Sequence, residues 1–389
     1  MRNFTALVIF AVLTFANATP AATQKPAKGA KAPLPPKQGV KTPGVQIPFA
    51  SVTAEATLPA TEKPEWVFYL PDTPAGGGRG GGAGAGGGRG GGGRGGGGRG
   101  AGAPPAAGAP TAPAGGTGTI FIPGKDKLEK FETKTNKPVA AIADLKKPCG
   151  GMVSAFASLW VPTCGDGSLQ RIDPKTSKVT ATIPSGAANI LGSIAASTDS
   201  IWLLTDNRET LSRIDPEQNA VVGEIRLPVG CNNLTFGETS LWMTCPDQNK
   251  VLRINPATNL VDKRIEVSGH PVSLVIGETS VWVLCGKDGK IDRIDPKTDK
   301  VTKTIDLLAP NSTGGIAIGD GYVWVTMTGF PIARIDPTAE TVAQQFWGEG
   351  GGAITASSGA LWLSHLNGGP NAGTVWRVDP KLILATLAE

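Results

Sequence analysis

The chain has 389 residues, including 54 Gly, 32 Pro, 9 Trp and only 4 Met. Abundant turn residues together with many Val, Ile and Thr favour an all-β fold over a helical one. The formal net charge of +5 comes from Lys and Arg within the first 100 residues, and the rest of the chain is mildly acidic. We therefore expect no nucleic-acid partner.

The first 18 residues have the pattern of a secretory signal peptide. Arg2 supplies a positive start, residues 6–15 are apolar, and Ala-Asn-Ala at 16–18 offers small residues for cleavage. No later stretch reaches the roughly 20 consecutive apolar residues of a transmembrane helix. The mature protein is therefore expected to be secreted or periplasmic, without a transmembrane segment.

Two segments have low sequence complexity. Residues 19–63 are rich in Ala, Pro and Lys, and they are predicted to be a disordered spacer because few large apolar residues offset the entropy of ordering. Residues 75–118, rich in Gly and Arg and then in Ala and Pro, are predicted to be a flexible insertion. Gly/Arg runs also occur in RNA-binding proteins, but predicted export and the lack of aromatic residues between 76 and 118 favour a linker or a wall-facing loop.

A repeated unit follows Cys149. Its first mark is a Trp between apolar residues, and its second mark is Arg-Ile-Asp-Pro or a close variant. The first marks are Trp160, Trp202, Trp242, Trp282, Trp324 and Trp362. The second marks begin at Arg171, Arg213, Arg253, Arg293, Arg334 and Arg377. In the unit around Trp242, strands are predicted at 233–236, 241–245, 250–254 and 260–267. Four strands in roughly 40–45 residues are typical of a β-propeller blade.

A seventh unit precedes these six. Residues 130–137 align with residues 171–178, and residues 66–70 supply an apolar inner strand upstream. The sequence therefore predicts one seven-bladed β-propeller over residues 64–389, with four antiparallel strands per blade and residues 75–118 inserted in blade 1. The last unit is expected to end with its own outer strand at 382–387. A closing strand from residues 46–54 is the alternative.

The repeat resembles the YVTN-repeat β-propeller family of exported bacterial proteins. The resemblance covers about residues 119–389 and implies the fold rather than a reaction. It is carried by Val281-Trp282-Val283 followed by Arg293-Ile294-Asp295-Pro296-Lys297-Thr298.

The chain is also distantly similar to the streptogramin lyases, seven-bladed propellers with Trp-Phe-Thr-Glu in the corresponding strand and with His residues that act together with a magnesium ion. This chain has no Glu three residues after the repeated Trp. That position differs between copies, and we interpret it as a rim position that packing does not fix. It holds Thr163, Thr205, Cys245, Cys285, Met327 and His365.

The repeated residues themselves are expected to be structural. The Trp is predicted to pack between blades, the Asp to cap the Pro turn, and the Arg to brace a neighbouring blade. Residues shared by every copy maintain the fold, so the function is expected where copies differ.

Four of the five Cys form two pairs, each around one of the repeated Trp. Cys149 and Cys164 flank Trp160, and Cys231 and Cys245 flank Trp242, so each pair faces across two adjacent strands. Because no Cys-x-x-Cys spacing exists and the compartment is oxidising, two disulfides are favoured over catalytic or metal-binding roles. Cys285 is then a free thiol.

Only His270 and His365 are present as His. Both are expected at the same end of the blades, and we regard them as candidate ligand-binding residues, with ordinary surface imidazoles and turn carboxylates as the simpler interpretation. No catalytic residue, metal or cofactor is predicted. The carboxylates expected at the same end are Asp166, Asp206, Asp247 and Asp288.

These observations favour a monomeric binding or scaffolding module whose partner is an unknown small molecule, protein or envelope polymer. One alternative is a lyase- or hydrolase-type enzyme that uses His270, His365 and the nearby carboxylates. Another is a structural protein whose segment 19–63 binds envelope polymer.

Overall fold

The computed structural model describes residues 47–49, 52, 54–72, 117–186, 188, 192–206, 209–348, 352–357, 359–364 and 373–385. The predicted signal peptide and most of the predicted spacer and insertion lie outside these ranges. The described strands form seven sheets of four antiparallel strands, one of which carries an additional fifth strand. The sheets are the blades of a seven-bladed β-propeller.

Two short strands precede blade 1, namely β1 (Ile47–Pro48) and β2 (Ala56–Pro59). Blade 1 contains β3 (Phe68–Pro71), β4 (Gly118–Pro123), β5 (Leu128–Glu132) and β6 (Lys137–Ile142). Blade 2 contains β7 (Val153–Ala155), β8 (Ser158–Thr163), β9 (Ser168–Ile172) and β10 (Val179–Pro184). Blade 3 contains β11 (Ile194–Ala196), β12 (Ile201–Thr205), β13 (Thr210–Asp215) and β14 (Ala220–Arg226).

Blade 4 contains β15 (Asn232–Gly237), β16 (Ser240–Cys245), β17 (Lys250–Asn255) and β18 (Leu260–Glu266), with a short 3-10 helix at Pro246–Gln248. Blade 5 contains β19 (Pro271–Gly277), β20 (Ser280–Cys285), β21 (Lys290–Asp295) and β22 (Lys300–Asp306). Blade 6 contains β23 (Ile316–Gly319), β24 (Tyr322–Met327), β25 (Phe330–Asp336) and β26 (Thr341–Trp347). Blade 7 contains β27 (Ile354–Ser357), β28 (Ala360–Ser364) and β29 (Thr374–Val378), and helix α1 (Pro380–Ala385) follows.

The hydrophobic core lies between the blades. All six repeated Trp side chains are completely buried, and the second strands that carry them are buried along almost their whole length because both of their faces are covered. Trp282 of blade 5, for example, belongs to one cluster with Val323 and Val325 of blade 6. Stacked sheets of this kind bury a continuous ring of apolar side chains.

In blades 2 to 5 and in blade 7 the repeated Arg joins its blade to the next, an arrangement we call the Arg latch. In blade 2, Arg171 lies 5.0 Å from the ring centroid of Trp160. Its Nε donates to Ser158 Oγ at 2.9 Å, and its Nη1 donates to the Pro216 carbonyl oxygen of blade 3 at 2.7 Å. Arg213, Arg253 and Arg293 make the same kind of contacts with the turn of the following blade.

The N-terminal segment closes the ring. Strand β2 pairs antiparallel with β29 and is the outer strand of blade 7, and its Leu58 is buried. Arg377 then reaches blade 1, where its Nη1 donates to the Thr133 carbonyl oxygen at 2.7 Å. Closure by an N-terminal strand was the alternative expectation, but the strand is Ala56–Pro59 rather than residues 46–54.

The prediction of an outer strand at 382–387 is wrong. Residues 380–385 form α1 instead, and the edge of β29 that this strand needed is taken by β2. Pro380 suits the first turn of a helix because the backbone N–H that it lacks has no partner there.

Blade 6 is the five-stranded sheet. Strand β1 pairs in parallel with β26, so that residue 47 is opposite residue 346. Next to β1, Phe49 stacks on Trp376 of blade 7, with ring centroids 5.3 Å apart and planes 15° apart. Strand β1, Phe49 and strand β2 therefore connect blades 6 and 7.

One face of the propeller carries two kinds of connection. The hairpins between second and third strands are at this end of each blade, and so are the connections that lead from one outer strand to the next inner strand. We call it the loop face. The opposite face carries the first hairpins and the turns between third and outer strands, including the β3–β4 connection that contains the predicted insertion.

Candidate functional site

Both disulfides lie at the loop face. Cys149 and Cys164 join the connection that enters blade 2 to its second hairpin, with Cα atoms 5.9 Å apart. Cys231 and Cys245 do the same in blade 4, with Cα atoms 4.0 Å apart. These are the predicted pairings, and they fix the loop face at two of its connections.

Cys285 is a free, buried thiol at the loop-face end of blade 5. Burial raises its pKa, and the Asp292 carboxylate raises it further. The nucleophilic form of Cys is the thiolate. Cys285 is therefore held as an inert thiol at neutral pH.

His270 stands on the connection between blades 4 and 5. Its backbone is in the left-handed region, with φ of 57°. The N–H donates to Asn249 Oδ1 at 2.8 Å, and the carbonyl oxygen accepts the Gly286 N–H at 2.9 Å. These bonds hold the backbone in place and leave an exposed side chain. His365 lies outside the described residues.

Three of the candidate carboxylates lie against a glycine of the connection entering their blade. Asp288 Oδ2 accepts the Gly269 N–H at 2.7 Å. A Cβ built on Gly230 lies 2.8 Å from Asp247 Oδ2, and one built on Gly186 lies 3.7 Å from Asp206 Oδ1. The carboxylates thus occupy space that any side chain on Gly230 or Gly269 would need. Asp288 supports its connection through this hydrogen bond, and Asp247 and Asp206 lie close to theirs.

Asp166 is held by its own hairpin. Thr163 Oγ1 donates to its Oδ1 at 2.7 Å, and Ser168 Oγ donates to the same oxygen at 2.8 Å. Burial opposes ionisation, but these hydrogen bonds outweigh it and lower the pKa of Asp166.

The structure brings together only some of the candidate ligand-binding residues. His270 lies between the hairpins that carry Asp247 and Asp288, because Asn249 of one hairpin and Gly286 of the other bond to its backbone. Asp166 and Asp206 stand on blades 2 and 3. Among the described residues, no three His, Cys, Asp or Glu side chains are grouped closely enough to hold a metal ion.

Asp292 is a buried carboxylate that the sequence analysis missed. It is 1% exposed, and it accepts hydrogen bonds from the Ser268 N–H and from Thr304 Oγ1, both at 2.6 Å. The sequence could have indicated Asp292 as unusual, because the residue before the repeated Arg is uncharged in the other five copies of the Trp repeat. Asp292 secures the connection on which His270 stands.

Large apolar side chains are exposed on the loop face. Val229 is 62% exposed on the connection between blades 3 and 4, Leu308 is 47% exposed between blades 5 and 6, and Trp347 is 49% exposed at the end of β26. Together with His270, these residues give each of four successive connections, from blade 3 to blade 7, one exposed side chain. We call these four residues the loop-face arc. Their exposure depends on the path of each connection, which the sequence pattern does not specify.

Solved structures of similar architecture exist, whereas no family model and no curated protein sequence matches the chain. A streptogramin B lyase structure has a TM-score of 0.53 at 17% identity, covering 67% of this chain and 89% of that chain. Virginiamycin B lyase from Staphylococcus aureus has a TM-score of 0.54 at 16% identity, covering 80% of this chain and 98% of that chain. The chain shares the fold of the streptogramin B lyases. Hydrazine synthase from Kuenenia stuttgartiensis is a further similar structure, with a TM-score of 0.50 at 13% identity over 60% of this chain and 76% of that chain.

The position three residues after the repeated Trp is a packed position in this streptogramin-lyase-like propeller. The five side chains described there are at most 2% exposed, so the interpretation of this position as an unpacked rim is wrong for them. They are Thr163, Thr205, Cys245, Cys285 and Met327. The variable surface of the loop face lies instead on the connections between blades.

Proposed function

We propose that the protein is an exported binding or scaffolding module of the YVTN-repeat kind, which engages its partner through the loop face. The partner class is a small molecule, a protein or an envelope polymer. The two disulfides support export, because such bonds persist in oxidising compartments. Within the described residues, no helix is long and apolar enough to cross a membrane.

The loop-face arc is the observation that carries this proposal. Exposing a Trp and two aliphatic side chains to water is unfavourable, and a partner that buries these side chains gains binding free energy. Leu308 also has φ of 53°, a strained conformation for a bulky residue, and strain of this kind is concentrated at functional sites. The ring supplies the rigid support for such loops.

Binding to the loop face is tested with paired surface variants. The full mature chain is screened by thermal shift against a small-molecule library and by pull-down of purified envelope polymer, and each hit is measured again on Leu308→Ser/Trp347→Ala. We expect the variant to keep its thermal melt and to bind about tenfold more weakly, as for the loss of an interface anchor.

Leu260→Ser is the matched control. Leu260 is 63% exposed, but it begins the outer strand β18 on the opposite face, so its replacement leaves binding unchanged. Undiminished binding by the loop-face variant, or loss of binding in the Leu260→Ser variant, contradicts the proposal.

The second candidate function is a lyase- or hydrolase-type enzyme with its site at His270 and His365. What favours it is the fold shared with two lyases. Metal analysis of the purified protein separates the two functions. A stoichiometric divalent cation that is lost in His270→Ala/His365→Ala supports the enzyme and counts against a module that only binds.

A further inference from the structure

The repeated Arg of blade 6 differs from the others. Arg334 is 0% exposed, and its guanidinium carbon lies 4.3 Å from the ring centroid of Tyr322. Among the described residues, none of its three side-chain nitrogens has a hydrogen-bond partner. In blades 2 to 5, by contrast, each latch Arg donates hydrogen bonds to a Ser of its own blade and to the turn of the next blade.

Two local changes remove the usual acceptors. The Ser that accepts Nε elsewhere, as Ser280 does in blade 5, is replaced by Tyr322 in blade 6. The turn that accepts Nη1 is replaced in blade 7 by α1, which begins at Pro380. Helix carbonyl groups are turned toward their own helix, so, within the described residues, α1 does not present the turn carbonyl oxygen that the other latches use.

The guanidinium lies on a buried polar face of blade 6. Arg334 is opposite Gln344 and Asp336 is opposite Thr341, and a bulge between them puts all four on one face. All four side chains are buried. Gln344 Nε2 donates to the Ile383 carbonyl oxygen at 2.9 Å, so α1 covers this face. The Thr341 hydroxyl, like the guanidinium, has no hydrogen-bond partner among the described residues.

A buried guanidinium whose N–H groups find no hydrogen-bond acceptor of ordinary geometry is costly. Burial lowers the pKa of Arg334, although Tyr322 and Asp336 favour its charged form. Asp336 Oδ1 is already occupied by the Thr338 and Ala339 N–H groups, at 2.8 and 2.9 Å. A buried cation is stable only with a counter-charge and with its donors satisfied.

We propose that the seam between blades 6 and 7 contains a binding site for one small inorganic anion, of the size of chloride, held by Arg334 with the Thr341 hydroxyl as a further donor. The bound anion accepts hydrogen bonds from Arg334, as turn oxygens of the next blade do for the other latch Arg residues. The site lies beneath α1, whose Ile383 carbonyl oxygen accepts from Gln344, so the anion stabilises the packing of blade 7 on blade 6. This inference is independent of the proposed loop-face function.

Anion-dependent thermal unfolding of the full mature chain tests the site. Sodium bromide replaces sodium gluconate stepwise at constant ionic strength, because gluconate is far larger than the chloride-sized anion proposed. A ligand that binds only the folded state raises the melting temperature as its concentration rises. We expect a rise of several degrees for the wild type and no response in Arg334→Met, whose uncharged side chain needs no anion.

Arg293→Met is the matched control, since it removes a latch Arg that has protein acceptors. This variant is expected to melt at a lower temperature and to keep the bromide response. A wild-type melt that is insensitive to bromide, or a full response in Arg334→Met, overturns the proposal.

Crystals of the wild type soaked in bromide give a second measurement that does not depend on a variant folding. An anomalous difference peak beside the Arg334 guanidinium supports the anion site. No peak at that position overturns it.

Discussion

Arg253 illustrates how one repeated side chain joins two blades. Its Nε donates to Ser240 Oγ at 2.9 Å within blade 4, and its Nη1 donates to Asp299 Oδ1 at 2.7 Å in blade 5. The guanidinium carbon also lies 5.2 Å from the Trp242 ring centroid. In blades 2 to 5 the repeated Arg is thus occupied by contacts within the ring, which leaves the connections free to vary for binding.

Cys285 offers a test of the geometry of single residues. Pro271 is its cross-strand partner and occupies in blade 5 the position that Cys231 occupies in blade 4. We predict that Pro271→Cys forms a third disulfide with Cys285. A loop of this length contributes about 3 kcal/mol at most, because the hairpin is already paired.

Thiol counting and thermal unfolding with and without reductant measure this prediction. Val272→Cys, one residue along the same strand, is the control, and its thiol is expected to stay free. Two free thiols in oxidised Pro271→Cys would contradict the register of blade 5.

The turn carboxylates predict how stability depends on pH. Hydrogen bonds from backbone N–H groups, as from Lys297 to Asp295, lower the pKa of Asp173, Asp215 and Asp295. A lowered pKa stabilises the fold above the ordinary Asp value near pH 4, and this contribution is lost as the pH falls below it. Replacing the three by Asn is therefore predicted to reduce the acid-induced fall in melting temperature.

Asn already caps this turn in blade 4, where Asn255 Oδ1 accepts the Ala257 N–H at 2.9 Å. The triple variant is thus expected to melt near the wild-type temperature at pH 7. Melting curves from pH 7 to about pH 2.5 check this, with Asp262→Asn on the surface of β18 as the control. An equally steep acid dependence in the triple variant and the wild type would count against it.

At the scale of elements, the hairpin of β3 and β4 is complete without the segment inserted in it. The Asp72 N–H donates to the Thr117 carbonyl oxygen at 3.0 Å, directly beyond the paired ends of the two strands. We predict that replacing residues 73–116 by Asn-Gly preserves folding, because this dipeptide forms the turn that a two-residue hairpin requires. Each halving of loop length also saves about 0.6 kcal/mol of closure entropy.

Secretion yield and thermal unfolding of this deletion variant are the measurements. A two-residue Ala-Ala replacement serves as the control for turn chemistry and is expected to be less stable than Asn-Gly. Loss of the cooperative melt in both variants would mean that the inserted segment belongs to the ring.

The elements that sequence reasoning placed correctly are those with two independent marks. A repeated Trp strand and a Pro turn at constant spacing define each blade, because every copy must fill the same space between neighbours. Residues 382–387 carried neither mark, and a short apolar run fits a strand or a helix equally well. Strand β2 was also hard to predict, since Leu58 is its only buried side chain.

At the scale of the whole molecule, the ring was predictable and its functional surface was only partly so. The sequence indicated the end of the blades where His270 emerges. It did not indicate that three Asp side chains lie against the connections or that Val229, Leu308 and Trp347 are exposed there. These properties depend on how each connection crosses between blades, and that path follows from packing in three dimensions rather than from the repeat.

Strands β1 and β2 complete blades 6 and 7 of the seven-bladed ring, and both the loop face and the proposed anion seam depend on this closure. Thermal unfolding of two truncated chains, one lacking residues 1–46 and one lacking residues 1–60, tests it most directly. The first keeps β1 and β2 and is predicted to melt like the mature protein. The second loses both strands, and its stability is predicted to fall by more than the roughly 2–5 kcal/mol lost when one buried Leu is truncated to Ala. Indistinguishable melts of the two chains would contradict closure by the N-terminal segment.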